Sequence, residues 1–176
     1  NNVAGISWKI PINYTYFSSP FGWRIHPIYG YQKFHYGVDL SAPSGTPIYA
    51  TRSGVVDIAS YNGSAGYYVQ INHGDGYRSI YMHMTHYVVS QGQTVSQGQL
   101  IGYVGSTGVS TGNHLHFGIS KNGKYVKQEF EAGMERAYIN EDNYICIETL
   151  DKKRTSNIAY KTIGFTVSRC RLGERN

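Results

Sequence analysis

The chain has 176 residues and carries 16 Lys or Arg against 11 Asp or Glu, a formal net charge of +5. That length suits one domain, or one domain with an appendage, and can bury a sizeable core. No run of about 18 apolar residues occurs, so no membrane span is expected, and the positive charge suits an anionic partner such as nucleic acid or a bacterial wall.

The N-terminal residues lack the basic-then-apolar pattern of a signal peptide, so a secreted protein is expected to be present here in mature form. Residues 1–126 hold seven Lys or Arg but only three acids, Asp39, Asp57 and Asp75, together with 18 of the 21 glycines and 14 of the 17 tyrosines. Short β-branched and aromatic runs follow one another there: "TPIYA", "GVVDIA", "GYYVQINH", "SIYMHM", "QLIGYVG" and "HLHFGI". Gly, Ser, Asn and Asp punctuate them, which predicts a sheet-rich barrel or sandwich. Asp75-Gly76 in "NHGDGY" predicts a hairpin turn, since that pair readily takes positive φ. The "QGQ" at 91–93 and again at 97–99 marks further turns.

Beyond residue 126 the composition changes to nine basic and eight acidic residues in 50 positions. "AGMERAYI" (132–139) reads as a short helix, and "NYICIETL" (143–150) and "IGFTVSRC" (163–170) as two strands of a hairpin or small satellite. The expected organisation is a β domain over 1–126, with a lead-in over 1–16, and a mixed extension over 127–176. Cys146 and Cys170 are the only cysteines. They could pair in an oxidising compartment or remain thiols, and they define no disulfide framework.

Seven histidines occur. His26 and His73 read as ordinary surface or core residues, and His86 as a loop residue. His35 and Asp39 share a face if they lie on one strand, or are brought together by a loop through Gly37. His114 and His116 share a face if "HLHF" is a strand, with Leu115 and Phe117 toward the core. Imidazole and carboxylate are both zinc ligands, and a catalytic zinc keeps three protein ligands and an open position. The competing reading makes these the polar faces of ordinary strands.

Residues 1–126 contain no glutamate, which excludes the helical His-Glu-x-x-His arrangement there. Proton transfer then falls to a histidine, with His83 and His114 as the spare imidazoles, or to Asp57 or Asp75. A serine or cysteine hydrolase has less support. Both cysteines lie outside the glycine-rich part, and Ser106 and Ser110 sit in the loop "VGSTGVSTGN", which lacks a P-loop lysine.

The motifs "SSPFGWRIHPIYG", "FHYGVDLSAPSGTPIYA", "GYYVQINHGDGYRSIYMHM", "VSQGQLIGYVGSTGVSTGNHLHFGI" and "NGKYV" stand in this order over residues 17–126. In them the chain resembles the lysostaphin/LytM-type zinc metallopeptidases, which cleave peptide bonds in bacterial peptidoglycan. The resemblance implies a compact antiparallel β-sheet core with a substrate groove and one Zn²⁺, which makes 1–126 the peptidase domain and 1–16 a lead-in or a segment that occludes the zinc. By motif, His35, Asp39 and His116 match the metal ligands, and His83 and His114 the catalytic histidines. Met84 stands where the family usually has leucine, a volume-conserving change. The implied partner is a peptidoglycan peptide outside the cell, in the wall or in the periplasm, cut by a monomer. Two alternatives differ in class. One is a non-catalytic or latent relative that regulates other wall hydrolases. The other is a basic, tyrosine-rich surface for single-stranded nucleic acid, which the scattered positions of the seven Lys and Arg disfavour.

Overall fold

The computed structural model describes residues 6–19, 21–126, 134–139 and 145–149, and among these every regular element is a strand. Strand β1 (Ile6–Trp8) stands apart from the main sheet. β2 (Tyr16–Ser19) leads into a hairpin of β3 (Gly22–Ile25) and β4 (Gln32–His35), followed by β5 (Val38–Ser41) and β6 (Pro47–Tyr49). Three long strands, β7 (Gly54–Asn62), β8 (Gly66–Gly74) and β9 (Tyr77–Tyr87), form a meander. Asp75 (φ 52°) and Gly76 (φ 81°) make the expected turn between β8 and β9. β10 (Thr94–Val95), β11 (Leu100–Val104), β12 (His114–Lys121) and β13 (Lys124–Val126) complete this part of the chain.

The main sheet has ten strands in the order β10-β7-β8-β9-β12-β5-β2, with β13 added to β12 and β11 bridging β9 and β6. Every pairing in it is antiparallel, the architecture the motifs imply. Period-two alternation decides which residues meet the core. Along β12, Leu115, Phe117 and Ile119 are fully buried in the core, as are Val38 and Leu40 of β5. Burying each such side chain contributes about 1.5–3 kcal/mol. The intervening His114, His116 and Asp39 project from the other face and line a cleft.

Strand β9 changes partner partway along. Its first half pairs with β12, up to Met82 opposite His116, and its second half pairs with β11, from Met84 opposite Val104. The residue at the change, His83, has φ 65°, and the β8–β9 register shifts at the same place, between Tyr67 and Val69. This is a β-bulge, which bends a strand and re-aims a side chain. Tyr81 and Met84, three residues apart, are both fully buried, so the bulge has moved the inward phase by one residue. His83 is released toward the cleft.

The tail departs from expectation in one element. Residues 134–139 form strand β14 (Met134–Ile139), not a helix, pairing with β1 on one side and with β15 (Ile145–Thr149) on the other. Met, Glu, Arg and Ala are good helix formers, but two flanking strands offer this segment a full backbone ladder, and tertiary pairing overrides local propensity. The expected strand near 143–150 is present as β15, whereas 163–170 and Cys170 lie outside the described residues. The lead-in is anchored by Trp8. Its buried ring meets His73 (5.0 Å) and Tyr77 (5.6 Å) edge-on, with the Arg52 guanidinium 5.4 Å from the indole. Residues 6–15 are not among those lining the cleft.

Candidate metal centre and active site

His35 ends β4 and Asp39 lies in β5, so the two converge across a bend at Gly37 and do not share one strand. Gly37 is required by close approach: a Cβ there would overlap the Phe117 carbonyl and lie 2.8 Å from the His116 ring. On β12, His116 is directly opposite Asp39 in register. All three side chains are buried.

Three ligand-type atoms meet as a triangle. His35 Nε2 lies 3.1 Å from Asp39 Oδ1 and 2.9 Å from His116 Nδ1, and His116 Nδ1 lies 3.2 Å from Asp39 Oδ1. Bonds of about 2.0–2.1 Å to a tetrahedral ion place its donors about 3.3 Å apart, so the triangle fits one face of such a tetrahedron. Its own protons cannot satisfy it. If one nitrogen is protonated, the other nitrogen and the carboxylate oppose lone pairs; if both are, two N–H groups face each other at 2.9 Å. A cation resolves every edge, and two imidazoles with a carboxylate are a suitable set to hold zinc. Burial alone would raise the Asp39 carboxyl, but hydrogen bonds from His116 and His35 outweigh it and hold the group well below the usual carboxylate range. Burial lowers the His116 imidazole, against the pull of Asp39, which favours its metal-binding neutral form.

Two more imidazoles border the triangle. The His83 and His114 rings lie 4.8 Å apart, and His83 lies 6.2 Å from His116. His83 Nδ1 donates to the Thr107 carbonyl at 2.7 Å, and His114 Nδ1 donates to the Gly112 carbonyl at 2.8 Å. A carbonyl oxygen only accepts, so each ring carries a proton on Nδ1 and, in its neutral form, leaves Nε2 as a lone pair. His114 Nε2 is 3.6 Å from Asp39 Oδ1, which sets its free nitrogen at the triangle. Burial pushes the His83 imidazole down to about 4, with the Thr107 carbonyl opposing, so it is neutral at physiological pH and able to take up a proton.

The glycine-rich loop thus orients the two histidines through its backbone. Residues 108–112 read Gly-Val-Ser-Thr-Gly, the spacing of a serine-hydrolase elbow, but the elbow's strand-to-helix context is absent among the described residues. The Ser110 hydroxyl donates to the Gly112 carbonyl, and the His114 nitrogen 3.2 Å from it is the protonated one, so that ring is no base toward Ser110. A Cβ on Gly108 (φ 75°) would collide with the Gly66 amide nitrogen, and one on Gly66 (φ 66°) with Thr107.

The cleft has a volume of about 840 Å³ and half-exposed walls that include Tyr16, Tyr29 and Tyr36. Asp57 and Asp75, the alternative proton carriers, lie elsewhere: Asp57 accepts from Arg78 at 2.7 Å and Asp75 faces Arg52 at 3.8 Å. His26 accepts from the Ile28 and Tyr29 amides in a turn, His73 is buried outside the cleft, and His86 is exposed. Sequence reasoning missed Thr107 and Gly112, which act through carbonyls. It also missed Arg24, whose Nη1 is 3.5 Å from Asp39 Oδ2.

Residues 33–128 match the profile of Peptidase family M23. The DD-carboxypeptidase/endopeptidase Mpg of Neisseria meningitidis is 44% identical over 116 residues, 66% of this chain and 27% of that protein. The peptidoglycan DD-endopeptidase ShyC of Vibrio cholerae is 44% identical over 125 residues, 68% of this chain and 29% of that protein. The chain therefore spans between a quarter and a third of the length of these curated relatives. Among solved structures, the catalytic domain of the antimicrobial peptidase lysostaphin from Staphylococcus simulans superposes with a TM-score of 0.54 at 34% identity, covering 66% of this chain and 88% of that domain. With the profile matching more than half of its length, the chain belongs to Peptidase family M23.

Proposed function

We propose that the protein is a zinc-dependent endopeptidase of bacterial peptidoglycan that cuts a bond between D-configured residues, working at the wall or in the periplasm. The observation that carries this reading is the convergence of His35 Nε2, Asp39 Oδ1 and His116 Nδ1 within 3.2 Å of one another, bordered by two imidazoles whose Nδ1 atoms donate to backbone carbonyls. The names of the Mpg and ShyC relatives support the substrate and the DD bond.

In this reading His35, Asp39 and His116 hold the zinc, which when bound supplies Lewis acidity toward a carbonyl oxygen and acidifies water. His83 or His114 takes the proton of the attacking water on Nε2. The imidazolium so formed can donate from Nε2 to the oxygen that gains charge as the carbonyl carbon becomes tetrahedral. The proton then passes to the leaving amine, so that water has added across one amide bond. The Thr107 and Gly112 carbonyls stabilise each imidazolium as it forms, because the Nδ1–H···O bonds strengthen when the ring is charged.

The test is mass spectrometry of fragments released from peptidoglycans of different cross-link types, with chelator and after zinc is restored. Zinc-dependent release of fragments ending at a DD bond is the expected result. Release that survives metal removal overturns the metallopeptidase reading. Zinc uptake without release from any wall assigns the protein to the non-catalytic relatives.

A further inference from the structure

The β3–β4 hairpin forms one wall of the cleft and carries two cations side by side. Arg24 and Lys33 are directly opposite in register, which places their side chains on the same face, and both line the cleft. Like charges at opposed positions destabilise a strand pair. Among the described residues lining the cleft the sole acid is Asp39, whose Oδ1 already belongs to the triangle. Arg24 meets the other oxygen, Oδ2, through Nη1 at 3.5 Å, and that single contact leaves most of the five guanidinium donors unused by it. A quarter of the Arg24 side chain is exposed. Lys33 Nζ lies 5.8 Å from the Tyr29 ring at the cleft edge. The positive field is felt nearby as well: burial, then Lys33 and Arg24, push the His26 imidazole down.

A planar guanidinium with a free edge binds a carboxylate bidentately, and a neighbouring ammonium adds charge without geometry. Because Arg24 touches Asp39, an anion on its free edge sits beside the triangle and not at a distant subsite. We propose that Arg24 and Lys33 are specificity-determining residues that read a free carboxylate on the substrate residue next to the bond to be cut. This rests on the peptidase reading above. It restricts the substrate class: a carboxypeptidase substrate carries such a group on its terminal residue, a cross-linked peptide can carry it as a branch, and a glycine-only bridge carries none beside its internal bonds.

The experiment uses two matched pairs of probes. One pair is a linear peptide ending in D-Ala-D-Ala as free acid or as amide, and the other a cross-linked muropeptide with the acceptor carboxylate free or amidated. Calorimetric binding to chelator-treated protein comes first, because it needs no turnover, and kcat/KM of the zinc-loaded protein follows. The expected result is that wild type binds at least one free-acid probe about tenfold or more tighter than its amide. Arg24→Gln brings that ratio close to one, Arg24→Lys keeps part of it, and Lys33→Gln lowers it less than Arg24→Gln. A preference in the linear pair alone assigns the site to terminal carboxylates; in the cross-linked pair alone, to branch carboxylates.

Equal binding of acid and amide in both pairs overturns the proposal, as does an Arg24→Gln variant that keeps the wild-type ratio. Zinc content and melting temperature of Arg24→Gln separate recognition from support of Asp39. A ratio that collapses together with zinc uptake and fold, while Lys33→Gln keeps the full ratio, shows a structural arginine and overturns the proposal. If no bond is cut yet the binding preference holds, the hydrolase reading fails and the carboxylate pair stands. If cutting proceeds without preference, the reverse is true.

Discussion

Two buried polar clusters are built into the same sheet, and they differ in whether their hydrogen bonds close. In the first, outside the cleft, the Thr51 amide donates to the Tyr81 hydroxyl (2.9 Å), Tyr81 and Ser79 are bonded at 2.9 Å, and Ser79 and His73 Nε2 at 2.7 Å. His73 Nδ1 then donates to the Ser53 carbonyl at 2.9 Å. One direction of donation satisfies all of these contacts, provided His73 is neutral. In the second, His35, Asp39 and His116 meet in a triangle that no placement of protons on the two imidazoles satisfies beside an ionised carboxylate. Burial and the presence of histidine do not separate a structural site from a functional one; closure does. A cluster that leaves lone pairs aimed at one point is built for something that arrives from outside.

The largest effect should come from removing one corner of the open cluster. Asp39→Asn is expected to lose stoichiometric zinc, measured by metal analysis, and with it hydrolysis. The thermal stabilisation that zinc gives wild type, about 2.7 kcal/mol at a hundredfold excess over Kd, should vanish as well. A variant that still melts higher in zinc would show that the triangle is not the binding site. Next, His114→Ala should lower kcat by about 10²–10⁴-fold while zinc content stays at the wild-type level. Turnover near wild type would remove His114 from the chemistry.

The closed cluster should answer to pH instead. Burial pushes His73 down to about 4, opposed by the Ser53 carbonyl and reinforced by Arg52, whereas the unfolded chain titrates near 6.5. The unfolded state therefore takes up the proton first as pH falls. The stability of the neutral form is complete above about 6.5 and is lost progressively toward about 4, up to ~3 kcal/mol in all. Urea midpoints at pH 7.5 and pH 5 should differ for wild type and converge in His73→Gln; an unchanged slope with pH would assign the dependence to other groups. The smallest effect is expected for Ser79→Ala, which leaves His73 Nε2 and the Tyr81 hydroxyl short of a partner at a cost of about 1–3 kcal/mol, with zinc binding untouched.

The comparison also explains what the sequence could disclose. The two-residue periodicity of "HLHF" and the recurring turn residues act locally, so the sheet, its core face and the cleft-facing His114 and His116 were legible. The His35–Asp39 pair was legible as a pair but not in its geometry, since a strand and a glycine turn predict the same proximity. Thr107 and Gly112 were invisible because they contribute carbonyls, which every residue has. The re-aiming of His83 depends on where β9 exchanges β12 for β11, a tertiary event with no local residue code. Arg24 was hidden for a similar reason, because only the hairpin register sets it beside Lys33 and over Asp39. The 134–139 segment failed in the opposite sense: its local preference was clear, and a partner 129 to 133 positions upstream, with Ala137 opposite Trp8 and Ile139 opposite Ile6, overruled it.

That pairing makes the two ends of the chain depend on each other. Removing the residues beyond 133 while keeping the lead-in would strip β14 from β1 and leave three residues of extended backbone without their ladder. Such an edge is what other chains add to. Trp8, held in the core, would keep the edge fixed at the surface as a template. A version shortened in this way should therefore self-associate, and grafting a charged or proline residue at Ile6 or Ser7 should restore a monodisperse protein.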